Sequence, residues 1–247
     1  MNNRKEIIIA SVYTTMMSIA MIVAYRWFGY SYSDPRIVRV LFYFEIVMTI
    51  FTLVIYFLYY PLPFSFGKLR VNMFFIFYVT LFVIATVLFL KDKYFLDNNN
   101  IVYLVITTNI LVGLSEELMY RGVILQGFLI NNSKVKAVIM SSILFSLLHV
   151  VNLFAAISFH DLLIQLINTF IYGVFASCLA LKIGTILPFI ITHGMWDNFV
   201  NSQRFVEKYS LLFLIFIVFE IVVGFILFIR IVKEEKVKSN KDFASLY

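Results

Sequence analysis

The chain has 247 residues, 62% of them hydrophobic and only 14% charged, and its mean hydropathy is +0.93. A soluble domain carries about a quarter charged residues. This composition therefore excludes a water-soluble globular protein and points to an all-α, polytopic transmembrane bundle solvated by membrane lipid. The 20 Lys and Arg outnumber the 14 Asp and Glu, a net charge of +6; in so apolar a chain the surplus marks loops held in the cytoplasm, not a nucleic-acid partner.

A membrane span needs about 20 apolar residues, and roughly eight such stretches follow in chain order, over 7–27, 37–59, 71–90, 101–120, 137–151, 162–181, 185–201 and 209–231. The first follows Arg4 and Lys5 but is too long for a signal peptide and has no small-residue cleavage site after it, so it is expected to remain as a helix. The fourth, fifth and seventh are short or interrupted by polar residues. No repeat or hydrophilic stretch divides the chain, so 1–247 reads as a single integral membrane domain. Its one cysteine, Cys178, excludes an intrachain disulfide.

Charge sets the expected orientation. With the N-terminus cytoplasmic, the inner segments hold Arg4, Lys5, Lys68, Arg70, Arg121, Lys134, Lys136, Lys182, Arg230, Lys233, Lys236, Lys238 and Lys241. The outer segments hold Arg26, Arg36, Arg39, Lys91, Lys93, Arg204 and Lys208. The larger inner set predicts that both termini are cytoplasmic.

Ionisable groups at membrane depth are expensive and are functional candidates by default. The fourth stretch carries Glu116 and Glu117, the fifth His149, and the seventh His193 and Asp197. Glu117 and Arg121 are four apart, the spacing of a helical ion pair with the acid N-terminal. Glu116 points about 100° away, free to meet something else. His193 and Asp197 also share a face, and Phe145 lies one turn before His149. With Arg121 taken as the inner end of its span, Glu116 lies about 7 Å deep, against about 18 Å for His149 and about 13 Å for His193. These depths predict one polar cavity open to the cytoplasmic side. Glu45 and Glu220 are isolated in apolar stretches and read as structural or gating residues; His160 falls in an outer loop.

A carboxylate and a histidine can take a proton from water and make it a nucleophile, and a second histidine can donate to the oxyanion that forms. Two histidines with carboxylates are equally a ligand set for hydrolytic Zn2+, so Glu116, His149, His193 and Asp197 are also candidate metal ligands. No HExxH helix is present, and the pattern by itself requires no cofactor.

The run Glu116-Glu117-Leu118-Met119-Tyr120-Arg121, then Phe145-Ser146-Leu147-Leu148-His149, then His193-Gly194-Met195-Trp196-Asp197 matches EExxxR, FxxxH and HxxxN/D in order. Over 101–201 the chain resembles the CAAX-prenyl protease and bacteriocin-processing (CPBP, or Abi) family of intramembrane proteases. The resemblance implies that Glu116 and His149 activate water, that His193 and Asp197 stabilise the oxyanion, and that Glu117 and Arg121 support them. It implies a peptide or membrane-protein substrate, of leader or prenylated type. Eukaryotic members usually end the last motif in asparagine; Asp197 looks like the bacterial branch, in a plasma membrane. An ionised aspartate cannot donate to an oxyanion, so Asp197 is expected to orient His193, carry a proton or bind a metal. Two other roles stand beside proteolysis: bacteriocin self-immunity or regulation, known in bacterial members, and a proton-relay transporter, which the missing repeat disfavours.

Overall fold

A computed structural model describes residues 3–60, 66–92 and 99–244. Every regular element among them is helical. In chain order they are α1 (Arg4–Phe28), α2 (Val38–Tyr59), α3 (Met73–Lys91), α4 (Asn99–Glu117), α5 (Gln126–Asn131), α6 (Lys134–Leu148), α7 (Phe159–Ile183), α8 (Leu187–Val200), α9 (Gln203–Lys208) and α10 (Ser210–Ala244). A π-helical segment, Leu118–Leu125, joins α4 to α5, and a 3-10 segment, His149–Ala155, continues α6.

Polar residues set the helix ends. The Asn72 side chain accepts from Phe75 N at 3.1 Å, Ser133 from Lys136 N at 3.1 Å and Ser158 from Asp161 N at 3.1 Å. Each satisfies an amide that the first turn of its helix leaves without a partner. Gly29 and Gly184 close α1 and α7 in the left-handed region, at φ 69° and 81°, where a side chain would be strained. Between these ends the outward faces of the helices are largely apolar. Trp27, Met73, Leu90 and Leu211 project outward, 68–78% exposed, which is a lipid-facing surface rather than a defect of packing.

Seven helical stretches are long and apolar enough to cross a membrane. The eighth expected span differs. Its helix, α8, has only 14 residues, about 21 Å by helical rise against the ~30 Å of a hydrocarbon core. Pro188 opens it in the first turn. Even so, contacts at the helix ends sort the bundle into two faces with α8 passing between them. On the face that holds the N-terminus, Asn132 Nδ2 donates to Asn3 Oδ1 at 2.7 Å, Arg70 N donates to Ile183 O at 2.8 Å, and Lys134 N binds Glu235. On the opposite face, Tyr32 N donates to Ala155 O at 2.7 Å, Gln165 Nε2 to the Tyr32 hydroxyl at 2.7 Å, and Lys208 pairs with Asp92 at 3.0 Å. The turn at 201–202 and α9 complete the passage that α8 begins.

Three cations expected in loops, Lys93, Lys238 and Lys241, lie outside the described residues or side chains. A fourth is relocated: Arg121 is no loop residue but is fully buried, because the fourth helix runs on through the π segment to Asn131.

α4 packs against α2 and α8, α6 against α7, and α7 against α10. The α4–α8 crossing is backbone to backbone. A Cβ on Gly113 would stand 2.6 Å from Ile190 O and 2.7 Å from Gly194 N, and one on Gly194 would stand 2.8 Å from Asn109 O. Small residues permit such close approach. Asn109 Nδ2 donates to Asn198 Oδ1 at 3.0 Å across the same crossing, and the Tyr78 and Thr192 hydroxyls, 2.8 Å apart, tie α3 to α8.

Candidate active site

The close α4–α8 crossing brings the two glutamates to the histidine of α8. His193 Nδ1 donates to Glu117 Oε1 at 2.9 Å. The same oxygen accepts from Arg121 Nη1 at 3.0 Å and from the Tyr172 hydroxyl at 3.1 Å. Glu117 thus does more than the sequence spacing indicated: it neutralises Arg121 and also fixes the ring of His193. The guanidinium of Arg121 lies 4.3 Å from the Phe145 ring centroid and 5.1 Å from that of Tyr172. A planar, weakly hydrated cation is well suited to such an aromatic sleeve out of water.

Because Nδ1 is engaged with Glu117, Nε2 of His193 is directed elsewhere. It stands 3.8 Å from Glu116 Oε2 and 3.7 Å from Asp197 Oδ2. Glu116 does turn away from the Glu117–Arg121 pair, as the 100° offset requires. Its Oε2 is buried without a hydrogen-bond partner. The Asp197 side chain is 24% exposed against 8% for His193, so it faces open space while the histidine is held behind it. Glu117 holds the Nδ1 side of His193, while orienting that ring was one of three roles expected of Asp197.

His149 sits where α6 tightens into its 3-10 segment. Its Nδ1 lies 3.1 Å from Phe145 O. A carbonyl only accepts, so Nδ1 carries the proton, and in the neutral ring Nε2 is left as an acceptor. Phe145 packs edge-on against both histidines, at 5.2 Å from His149 and 6.0 Å from His193 between ring centres. Ser141 donates to Tyr120 O at 2.7 Å and so ties α6 to the wide π turn. Single π turns recur at functional sites, and this one begins one residue after Glu117.

Glu116, His149, His193 and Asp197 line one cavity of about 900 Å³. Its mouth is formed by Tyr32–Asp34, Ile101, Ser158, Asp161 and Asn201–Gln203. All of these belong to the face opposite the N-terminus. The expectation that the cavity opens on the same side as the N-terminus is therefore corrected: mouth and N-terminus lie on opposite faces. The depths differ from those expected because the fourth span runs on past Arg121, through the π segment and α5, to Asn131. Counted to Asn131, Glu116 is about 22 Å from the N-terminal face, as is His149 counted from Lys134. At the mouth, hydrogen bonds from Arg36 hold the Asp34 carboxyl below its ordinary range. His160 is exposed there, beside Asp161.

Among the described residues, no three His, Cys, Asp or Glu side chains are grouped to hold one metal ion. The set of Glu116, His149, His193 and Asp197 shares a cavity without forming a ligand sphere. Tyr172, whose partner is 55 positions away, had no sequence signature; Glu45, read from the sequence as an isolated structural or gating residue, also lines the cavity.

Paired glutamates, two histidines and an aspartate around a buried cavity in a polytopic helical bundle are groups that an intramembrane hydrolase could use. Residues 98–199 match the family described as type II CAAX prenyl endopeptidase, Rce1-like. Over that segment the chain is similar to the CPBP family of CAAX-type proteases. No curated protein and no solved structure matches the chain.

Proposed function

We propose that this chain is an intramembrane endopeptidase that hydrolyses a peptide bond of a membrane-associated peptide or membrane protein with water activated by protein groups alone. The observation that carries this reading is the division of labour between the adjacent glutamates. Glu117 is tied through its Oε1 to Arg121, His193 and Tyr172 and does not line the cavity, whereas Glu116 lines it and its Oε2 has no hydrogen-bond partner.

In this mechanism Glu116, assisted by the acceptor Nε2 of His149, takes a proton from water. The water oxygen bonds to the peptide carbonyl carbon, and the carbonyl electron pair moves onto oxygen. His193, carrying a proton on Nε2 and fixed by Glu117, donates to that oxyanion. When the oxyanion collapses the C–N bond breaks, and the proton held by Glu116 passes to the leaving amine. Asp197 balances the imidazolium of His193 from the cavity side. The more cationic face is the one that holds the N-terminus, so both termini are taken as cytoplasmic and the mouth as opening to the other side of the membrane. Asp197 in place of asparagine, with the overall composition, suits a bacterial plasma-membrane protein.

The test is cleavage of quenched-fluorescent peptides, with and without a prenylated cysteine, by the full chain purified in detergent. Wild type should cut at least one class, and Glu116→Gln should cut none while remaining folded. Full activity of Glu116→Gln would remove the assignment. Elemental analysis of active protein should find no stoichiometric zinc.

A further inference from the structure

Glu45 stands apart from the three motifs yet reaches the same cavity. It lies on α2, seven residues from the start of that helix, about 10 Å in from the mouth face. Its side chain is fully buried and lines the cavity beside Glu116. One oxygen is held: Ser115 Oγ donates to Oε2 at 2.8 Å, and the Tyr13 hydroxyl donates to Ser115 at 2.9 Å. Ser115 immediately precedes Glu116, so this chain of bonds from α1 fixes Glu45 next to the proposed base. The other oxygen, Oε1, is buried with no hydrogen-bond partner.

A carboxylate out of water is stable as an anion only beside a cation. None of the described residues lining the cavity is a lysine or arginine. The basic groups around the site have other partners: Arg121 pairs with Glu117, His193 with Glu117 and with its far nitrogen toward Glu116 and Asp197, His149 bonds through Nδ1 to Phe145 O, and Arg36 pairs with Asp34 at the mouth. For Glu45 to be an anion here, a cation has to arrive with the ligand. The remaining wall near it, from Met17, Met21, Leu41 and Val105, is apolar and suits the flanking side chains of an extended peptide.

We propose that Glu45 is a specificity-determining residue, whose free carboxylate oxygen receives a lysine or arginine side chain, or an amino terminus, of the substrate peptide close to the scissile bond. This rests on the endopeptidase reading but is read out separately from it. The probes are apolar peptide pairs that differ only in lysine against norleucine, scanned along the peptide. Binding is measured to the full chain carrying Glu116→Gln, so that nothing is cut. At one position the lysine peptide should bind at least about tenfold more tightly, the ratio of a charge-assisted hydrogen bond. Adding Glu45→Gln should reduce that ratio below about twofold, while Glu45→Asp should retain a lysine preference. Equal binding of all pairs, or a lysine preference that persists in Glu45→Gln, overturns the proposal even if Glu45→Asp does not fold. If the preference is present but wild type cuts no peptide, the specificity site stands and the protease reading falls.

Discussion

At the scale of single residues, the two neighbouring glutamates should fail in different ways. Glu116→Gln removes the proposed base from a position where its Oε2 has no partner, so cleavage should vanish with little change in thermal unfolding in detergent. Glu117→Gln strands a fully buried Arg121 and releases the His193 ring. Removing one partner of a buried ion pair costs about 3–5 kcal/mol, so this variant should unfold earlier and express less. Comparable melting for Glu117→Gln and wild type would show that Arg121 has another counter-charge. Asp197→Asn separates the chemical schemes: with water activated by Glu116 and His149, an amide can donate to the oxyanion and activity should persist or rise. Loss of activity together with loss of bound zinc, measured by elemental analysis, would establish a metal mechanism instead.

At the scale of elements, the active arrangement depends on how closely α4 and α8 approach. Gly113 and Gly194 have backbone atoms of the opposite helix 2.6–2.8 Å from where a Cβ would sit. Backbone cannot swing aside as a flexible side chain can. Gly113→Ala or Gly194→Ala should therefore push the helices apart, at about 1–3 kcal/mol for overpacking, and lengthen the His193–Glu117 bond. The expected result is loss of cleavage out of proportion to loss of stability, although every motif residue is intact. Retention of full activity in both variants would mean that α8 can be repositioned without harm.

At the scale of the molecule, the mouth and the N-terminus lie on opposite faces, so one labelling experiment fixes both. In a chain with Cys178→Ala, a cysteine at the exposed Lys136 should be shielded from an impermeant thiol reagent in intact cells. A cysteine at the exposed His160, on the mouth side, should react. The reverse pattern would place the cavity on the cytoplasmic side and the termini outside, leaving the site chemistry untouched but changing which compartment supplies the substrate.

Much of this architecture is local and so was legible along the chain. Each apolar stretch of span length must be helical in lipid, because no water is available for its amides. The i, i+4 spacing of Glu117 with Arg121 put them on one helix face before any fold was known, and the offset of Glu116 followed from the same period. What the sequence could not express is contact between distant positions. His193 meets Glu117 across 76 residues, and Glu45 meets Ser115 across 70. The first is set by the α4–α8 crossing at Gly113 and Gly194 and the second by the packing of α2 on α4, and neither has a signature in local periodicity. The inner end of the fourth helix is hidden in the sequence for a related reason: an arginine at the end of an apolar stretch reads as a loop cation, whereas Phe145, Tyr172 and Glu117 supply in three dimensions the solvation that such a charge otherwise takes from water. The face on which the cavity opens depended on that helix end, and so only the tertiary structure decided it.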